Sequence, residues 1–186
     1  MRKLLVTIFI GLMIGLAVGG AGSYFLFWKN SNSEASIAEV VADTKVDQDE
    51  FILFIDKLNL TAPIITGVDP SDEKRYNDAL KGGVLLMPGM AHPGEGGHIF
   101  IYGHSSSDVQ SDYDKIFATL NDLNNDDEIK IYYHGEEYAY KVAEKKIIVP
   151  TDTSVLAKTA SETLTLMTCW PVGTDDQRLV IIAKKI

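Results

Sequence analysis

Cys169 is the only cysteine in the chain, and it lies where an apolar run meets a loop. The stretch from Leu164 to Ile182 reads LTLMTCWPVGTDDQRLVII. Pro171 and Gly173 mark the eight residues Trp170 to Gln177 as the loop, and Arg178 opens the next apolar run. The thiolate is the nucleophilic form of cysteine, and a permanent cation nearby favours it. Arginine is such a cation, because its guanidinium keeps its proton and presents a planar fork of donors. Two apolar runs joined in this way read as an antiparallel hairpin, whose facing strands would bring Cys169 and Arg178 side by side. The guanidinium could then also hold the oxyanion that forms when a thiolate attacks a carbonyl. On spacing alone, Arg178 reads equally well as a surface cation, and a free cysteine is often simply buried.

A thiolate that cleaves an amide needs an acid to protonate the leaving amine. The chain offers four histidines, His92, His98, His104 and His134, and none follows the cysteine. That order argues against a papain-like arrangement, in which the histidine lies downstream. His104 ends an apolar run and is followed by Ser105-Ser106-Ser107, a polar loop on a rigid support, where functional side chains tend to sit. His98 begins the same run, His92 lies among prolines and glycines, and His134 lies at a hairpin tip. Position alone puts His104 ahead only narrowly.

These residues need a scaffold, and from Phe51 onward the sequence supplies short apolar runs broken by turn signals. Strands are expected at Phe51–Ile55, Leu58–Ile65, Val84–Leu86, His98–Tyr102, Ile129–Tyr133, Tyr138–Val142, Lys146–Val149, Thr163–Thr168 and Leu179–Ala183. Pro63 suggests an edge or a strand end. Glu73–Leu80 reads as two helical turns ended by Gly82-Gly83, and the apolar spacing of Tyr113, Ile116, Phe117, Leu120 and Leu123 is helical. His134-Gly135 reads as a hairpin turn. Eight or so short strands with little helix predict an all-β fold, closed or nearly closed into a barrel.

Upstream, Leu4 to Phe27 is an uncharged run of 24 residues. At ~1.5 Å per residue it can cross a hydrocarbon core of ~30 Å. Arg2 and Lys3 before it favour a cytoplasmic N-terminus and a domain outside the cell membrane. A cleaved signal peptide is the competing reading, but its apolar region is normally shorter. The predicted organisation is a membrane anchor over residues 1–28, a polar linker over 29–50 and a domain over 51–186. The net charge is −9, and the only charges among the first thirty residues are Arg2, Lys3 and Lys29. The acidic remainder repels phosphate backbones, which excludes nucleic acid as a partner. The acidic stretches Asn121 to Glu128 and Thr66 to Arg75 lack the alternation of a calcium loop and read as turns and helix caps, so neither metal nor cofactor is expected.

Taken together, Thr165-Leu166-Met167-Thr168-Cys169, the arginine of Arg178-Leu179-Val180-Ile181-Ile182 and the upstream Gly103-His104 pair resemble the sortase family. Asp56 to Ile64 and Pro93-Gly94-Glu95-Gly96-Gly97 are similar to further segments of that family. The resemblance covers about Ile52 to Ile182. It implies an eight-stranded β-barrel with short helices, anchored by an N-terminal transmembrane helix. It implies a cysteine transpeptidase that cleaves a Leu-Pro-X-Thr-Gly-like sorting signal of exported proteins and passes the acyl group to an amine, a cell-wall precursor or a pilin lysine. By position Cys169 would be the nucleophile, His104 the acid and base, and Arg178 the oxyanion or substrate clamp. The subclass reads as class D/E-like or class C-like. A membrane-anchored cysteine endopeptidase, or an envelope peptide-binding module without catalysis, would carry nearly the same sequence.

Overall fold

The computed structural model describes residues 50–106 and 111–186. The expected anchor over 1–28, and the linker over 29–50 up to its last residue, lie outside the described residues. Among the described residues no helix is long and apolar enough to cross a membrane.

Eight strands alternate between a packed interior and an outer face, and they close on themselves. They are β1 (Phe51–Ile55), β2 (Leu60–Ile65), β3 (Val84–Leu86), β4 (His98–Tyr102), β5 (Glu128–Tyr133), β6 (Glu136–Ile148), β7 (Thr163–Trp170) and β8 (Gln177–Lys185). Their order around the barrel is β1-β2-β3-β4-β7-β8-β6-β5. The interior is filled by every second residue, among them Leu53, Ile55, Ile99, Ile101, Leu164, Leu166, Leu179 and Ile181, as the two-residue period of a strand requires. A second apolar layer covers part of the outside, where Leu85, Phe100, Tyr102 and Val180 pack under Leu80 and Val155. Leu80 belongs to the one regular α-helix among the described residues, α1 (Glu73–Leu80), and Val155 to the β6–β7 connection. This double covering explains why all five residues of β4 are buried and why its sequence shows no alternation.

Several expectations need correction. The segment around Tyr113–Leu123 is not an α-helix. It is a series of turns, with Ile116 N donating to Tyr113 O and Leu120 N to Phe117 O, ending in a 3₁₀ turn at Leu120–Asp122. Phe117 N donates to His104 O instead of to a carbonyl of its own segment, which interrupts any helical ladder. Its apolar spacing still serves burial, since Phe117, Leu120 and Leu123 all reach the core. The separate strands expected at Tyr138–Val142 and Lys146–Val149 are one strand of 13 residues, β6, with an irregularity between Val142 and Glu144. Its first half pairs mainly with β5 and its second with β8, so its middle carries charges without breaking the ladder. Pro63 is no edge residue: it pairs with Ile52, one residue before β2 meets β3 at Ile64 and Val84. β2 itself begins at Leu60, after a 3₁₀ turn at Asp56–Leu58. The hairpin at His134-Gly135 is present, with positive φ at both residues (53° and 80°), as a tight two-residue turn needs.

Candidate active site

Strand parity decides which side chains can meet. Leu164 and Leu166 point into the barrel, so Thr163, Thr165, Met167 and Cys169 of β7 point out. By the same rule Arg178, Val180, Ile182 and Lys184 of β8, and His98, Phe100 and Tyr102 of β4, lie on the outer face.

Register then aligns them. Cys169 stands directly opposite Arg178 in the β7–β8 pair. The hairpin expectation holds, but both strands run further than expected: Cys169 lies within β7, and only Pro171 to Asp176 form the loop. β4 runs parallel to β7, from His98 beside Thr163 to Tyr102 beside Met167. The track continues past the strand end. Gly103 N donates to Met167 O at 3.2 Å, and Thr168 Oγ1 donates to Gly103 O at 2.9 Å. Extended by one further step, that register would set His104 level with Cys169. The 65 positions that separate Gly103 from Thr168 also separate His104 from Cys169, so the spacing is simply the offset of two paired strands.

The motif residues around the cysteine now have separate jobs. Leu166 fills the core, Thr168 ties β7 to the exit of β4, and Thr165 faces His98. Gly103 lets its neighbours close in: a Cβ there would lie 3.0 Å from side-chain atoms of Phe117 and Val84, which would have to give by a few tenths of an ångström. Phe117 seats against it and its N–H donates to His104 O, which fixes the carbonyl of His104.

Cys169, His104 and Arg178 are each half-buried. Burial pushes the pKa of His104 below the ordinary histidine value, and the charge of Asp114 opposes that in part. A neutral imidazole is therefore favoured at rest, with Asp114 keeping protonation within reach. The Nη1 group of Arg178 donates to the carbonyls of Asp175 and Gln177, both at 2.9 Å. These bonds orient the fork while leaving its other donors for a ligand. Tyr76 of α1 is a residue that the sequence reading missed. Its ring stacks on Tyr102 with centroids 5.7 Å apart. Burial raises its pKa, and it senses the charges of Cys169 and Arg178. Its spacing from Leu80 on one helical face was the available signal.

The other histidines lie elsewhere. His98 is buried at the far end of β4, with Nδ1 2.8 Å from Ala157 O and Nε2 2.8 Å from Thr165 Oγ1. His92 stacks on Tyr133 and lies near Glu95. His134 stays at its hairpin tip, against Tyr133. The Pro93–Gly97 segment also gains a reason. Gly94 N and Gly96 N donate to the buried carboxylate of Glu162, which also accepts from Tyr140 and Lys185. Asp72 caps α1 through Arg75 N, and Asp127 pairs with Lys57 at 2.6 Å. Among the described residues no cluster could hold a metal ion.

A small closed barrel whose lone cysteine faces outward beside an arginine suits thiol-based acyl transfer. The sortase-domain family model matches residues 53–186. The chain is 26% identical to sortase D of Bacillus subtilis strain 168, over 212 aligned positions spanning 99% of each chain. It is similar in structure to a lid mutant of sortase A from Corynebacterium diphtheriae, with 28% identity and a TM-score of 0.62, over 74% of this chain and 69% of that one. Sortase C1 of Streptococcus agalactiae matches with 26% identity and a TM-score of 0.64, over 80% of this chain and 73% of that one. The chain belongs to the sortase family and is a cysteine transpeptidase of that type.

Proposed function

We propose that the enzyme cleaves a Leu-Pro-X-Thr-Gly-like sorting signal of exported proteins and joins the acyl fragment to an amine. The observation that carries this reading is the single row across β8, β7 and the exit of β4 formed by Arg178, Cys169 and the extended register of His104. In the first half-reaction neutral His104 takes the proton of the Cys169 thiol, and the thiolate so formed attacks the threonine carbonyl. Arg178 donates to the oxyanion, and His104 gives its proton to the glycine amine as the C–N bond breaks. A thioester to Cys169 remains. In the second half-reaction an incoming amine attacks that thioester, His104 takes the amine's proton, and the thiolate leaves as the new amide forms. The acceptor is the amine of a cell-wall precursor or a pilin lysine.

In this reading residues 1–28 anchor the protein in the cell membrane, 29–50 form the linker, and 51–186 form the catalytic domain outside the cell. The uncharged run Leu4 to Phe27 and the preceding Arg2 and Lys3 support that orientation. The test is cleavage of a fluorogenic Leu-Pro-X-Thr-Gly peptide. Cys169→Ala should abolish turnover while the fold persists, and alkylation of the wild type should inactivate it at one site. Undiminished turnover by the alanine variant would remove Cys169 from the mechanism.

A further inference from the structure

The outer face that carries Cys169 continues along β7 through Met167 to Thr165 and Thr163. At that far end lies a cavity of about 310 Å³ between β6, β8 and the β6–β7 connection. Thr165 is four residues from Cys169 and Thr163 six, which at ~3.3 Å per residue is about 13 to 20 Å. An extended peptide whose threonine carbonyl sits at Cys169 has its motif leucine about 10 Å away by the same measure. Leu80 and Val155 cover the middle of that face, so a peptide would pass over them, and the cavity then lies at the distance of the residues one to three positions beyond that leucine.

Its lining is basic although the chain carries a net charge of −9. Lys146, Lys158 and Lys184 contribute to it, against the single carboxylate of Glu144. Lys146 is already engaged, 3.7 Å from Glu144 and sensed by Asp152. Lys184 Nζ donates to Thr163 Oγ1 at 3.0 Å, and among the described residues neither Lys184 nor Lys158 forms an ion pair. His98 adds a rigid floor. Its Nδ1 faces a carbonyl, which can only accept, so Nδ1 carries the hydrogen and Nε2 accepts from Thr165. That pair of bonds pins Ala157, next to Lys158, to the barrel.

Resting on the sorting-signal reading above, we propose that this cavity is a subsite for an acidic side chain of the substrate polypeptide, upstream of the cleaved motif. The upstream fragment stays attached to Cys169 through both half-reactions. A contact with it holds substrate and acyl-enzyme alike without delaying departure of the leaving amine.

The test uses the full chain in detergent micelles and three peptides with one Leu-Pro-X-Thr-Gly core. The residue two positions before the leucine is Glu, Gln or Lys. The expected order of kcat/KM is Glu, then Gln, then Lys. Partly exposed pairs of this kind should separate the extremes about fivefold, mainly through KM. The order should invert in the double variant Lys158→Glu, Lys184→Glu, and the preference should shrink as salt is added. Equal rates for Glu and Lys, or a preference that survives the double variant, would overturn the subsite. A gain only when the acid follows the glycine would overturn its upstream placement. If even the Gln peptide is not cleaved, the sorting-signal reading fails and the subsite with it. Cleavage without charge preference defeats the subsite alone.

Discussion

β4 carries a histidine at its start and its Gly-His pair at its exit, and the two imidazoles meet opposite fates. His98 is buried, and both its nitrogens are hydrogen-bonded. His104 is half-buried past the end of β4, with only Asp114 as a charge raising its pKa. Burial lowers the pKa of both rings. The difference lies in commitment: one ring is locked into the barrel, and the other is positioned through its backbone while its ring stays available. The residue type is the same, so chemistry follows from which polar groups the strand register leaves unmatched.

Exchanging the two histidines one at a time should separate the two roles most strongly. His104→Ala should lower peptide cleavage by about 10² to 10⁴-fold, as loss of a general acid does, with little change in melting temperature. His98→Ala should leave the chemistry in place and cost about 1 to 3 kcal/mol of stability, because the partner groups on Ala157 and Thr165 lose their bonds. Denaturant unfolding beside steady-state kinetics reads both. A reversal of the two phenotypes would exchange the assignments. Next in size is Arg178→Lys, which keeps the charge but not the fork and should lower kcat about 10²-fold.

That contrast was only half visible in the sequence. The motif Thr165 to Cys169, the loop after it and Arg178 fixed two members of the row, because an antiparallel hairpin places its strand ends together. His104 was harder to single out: the β4–β7 register that would set it level with Cys169 is a parallel one across 65 positions, which no local pattern announces. The helical spacing at Tyr113–Leu123 misled because a turn series can bury the same residues. The length of β6 was hidden because charged residues in its middle look like a break, although each half has a partner strand. Glu162 was invisible for a different reason. A lone acid gives no sign that two glycine N–H groups, a tyrosine and a lysine will converge on it.

Glu162 is a second way to sharpen the comparison, since it is a committed group like His98. Burial alone would raise its carboxyl pKa, but hydrogen bonds from Tyr140, Gly94, Lys185 and Gly96 hold it below the ordinary range. A depressed folded pKa means that its contribution is complete above the unfolded glutamate value and is lost as pH falls through the folded one. Glu162→Ala should therefore cost about 3 kcal/mol at neutral pH, with the deficit narrowing in acid. Unfolding curves of both proteins across that range measure it. The smallest effect expected is that of Asp114→Asn. Removing that charge should move the His104 pKa further down, so a titration of the ring by NMR should shift to lower pH. An upward shift would show that Asp114 does not act on the ring as a charge.

The central claim is that an acyl group rests on Cys169 and is passed to an amine. Mass spectrometry of the enzyme with a Leu-Pro-X-Thr-Gly peptide, sampled while an amine is titrated in, observes both halves at once. The expected result is an adduct on Cys169 that disappears as a new amide product grows with amine concentration. Free acid as the only product at every amine concentration, or an adduct that survives Cys169→Ala, would contradict the account.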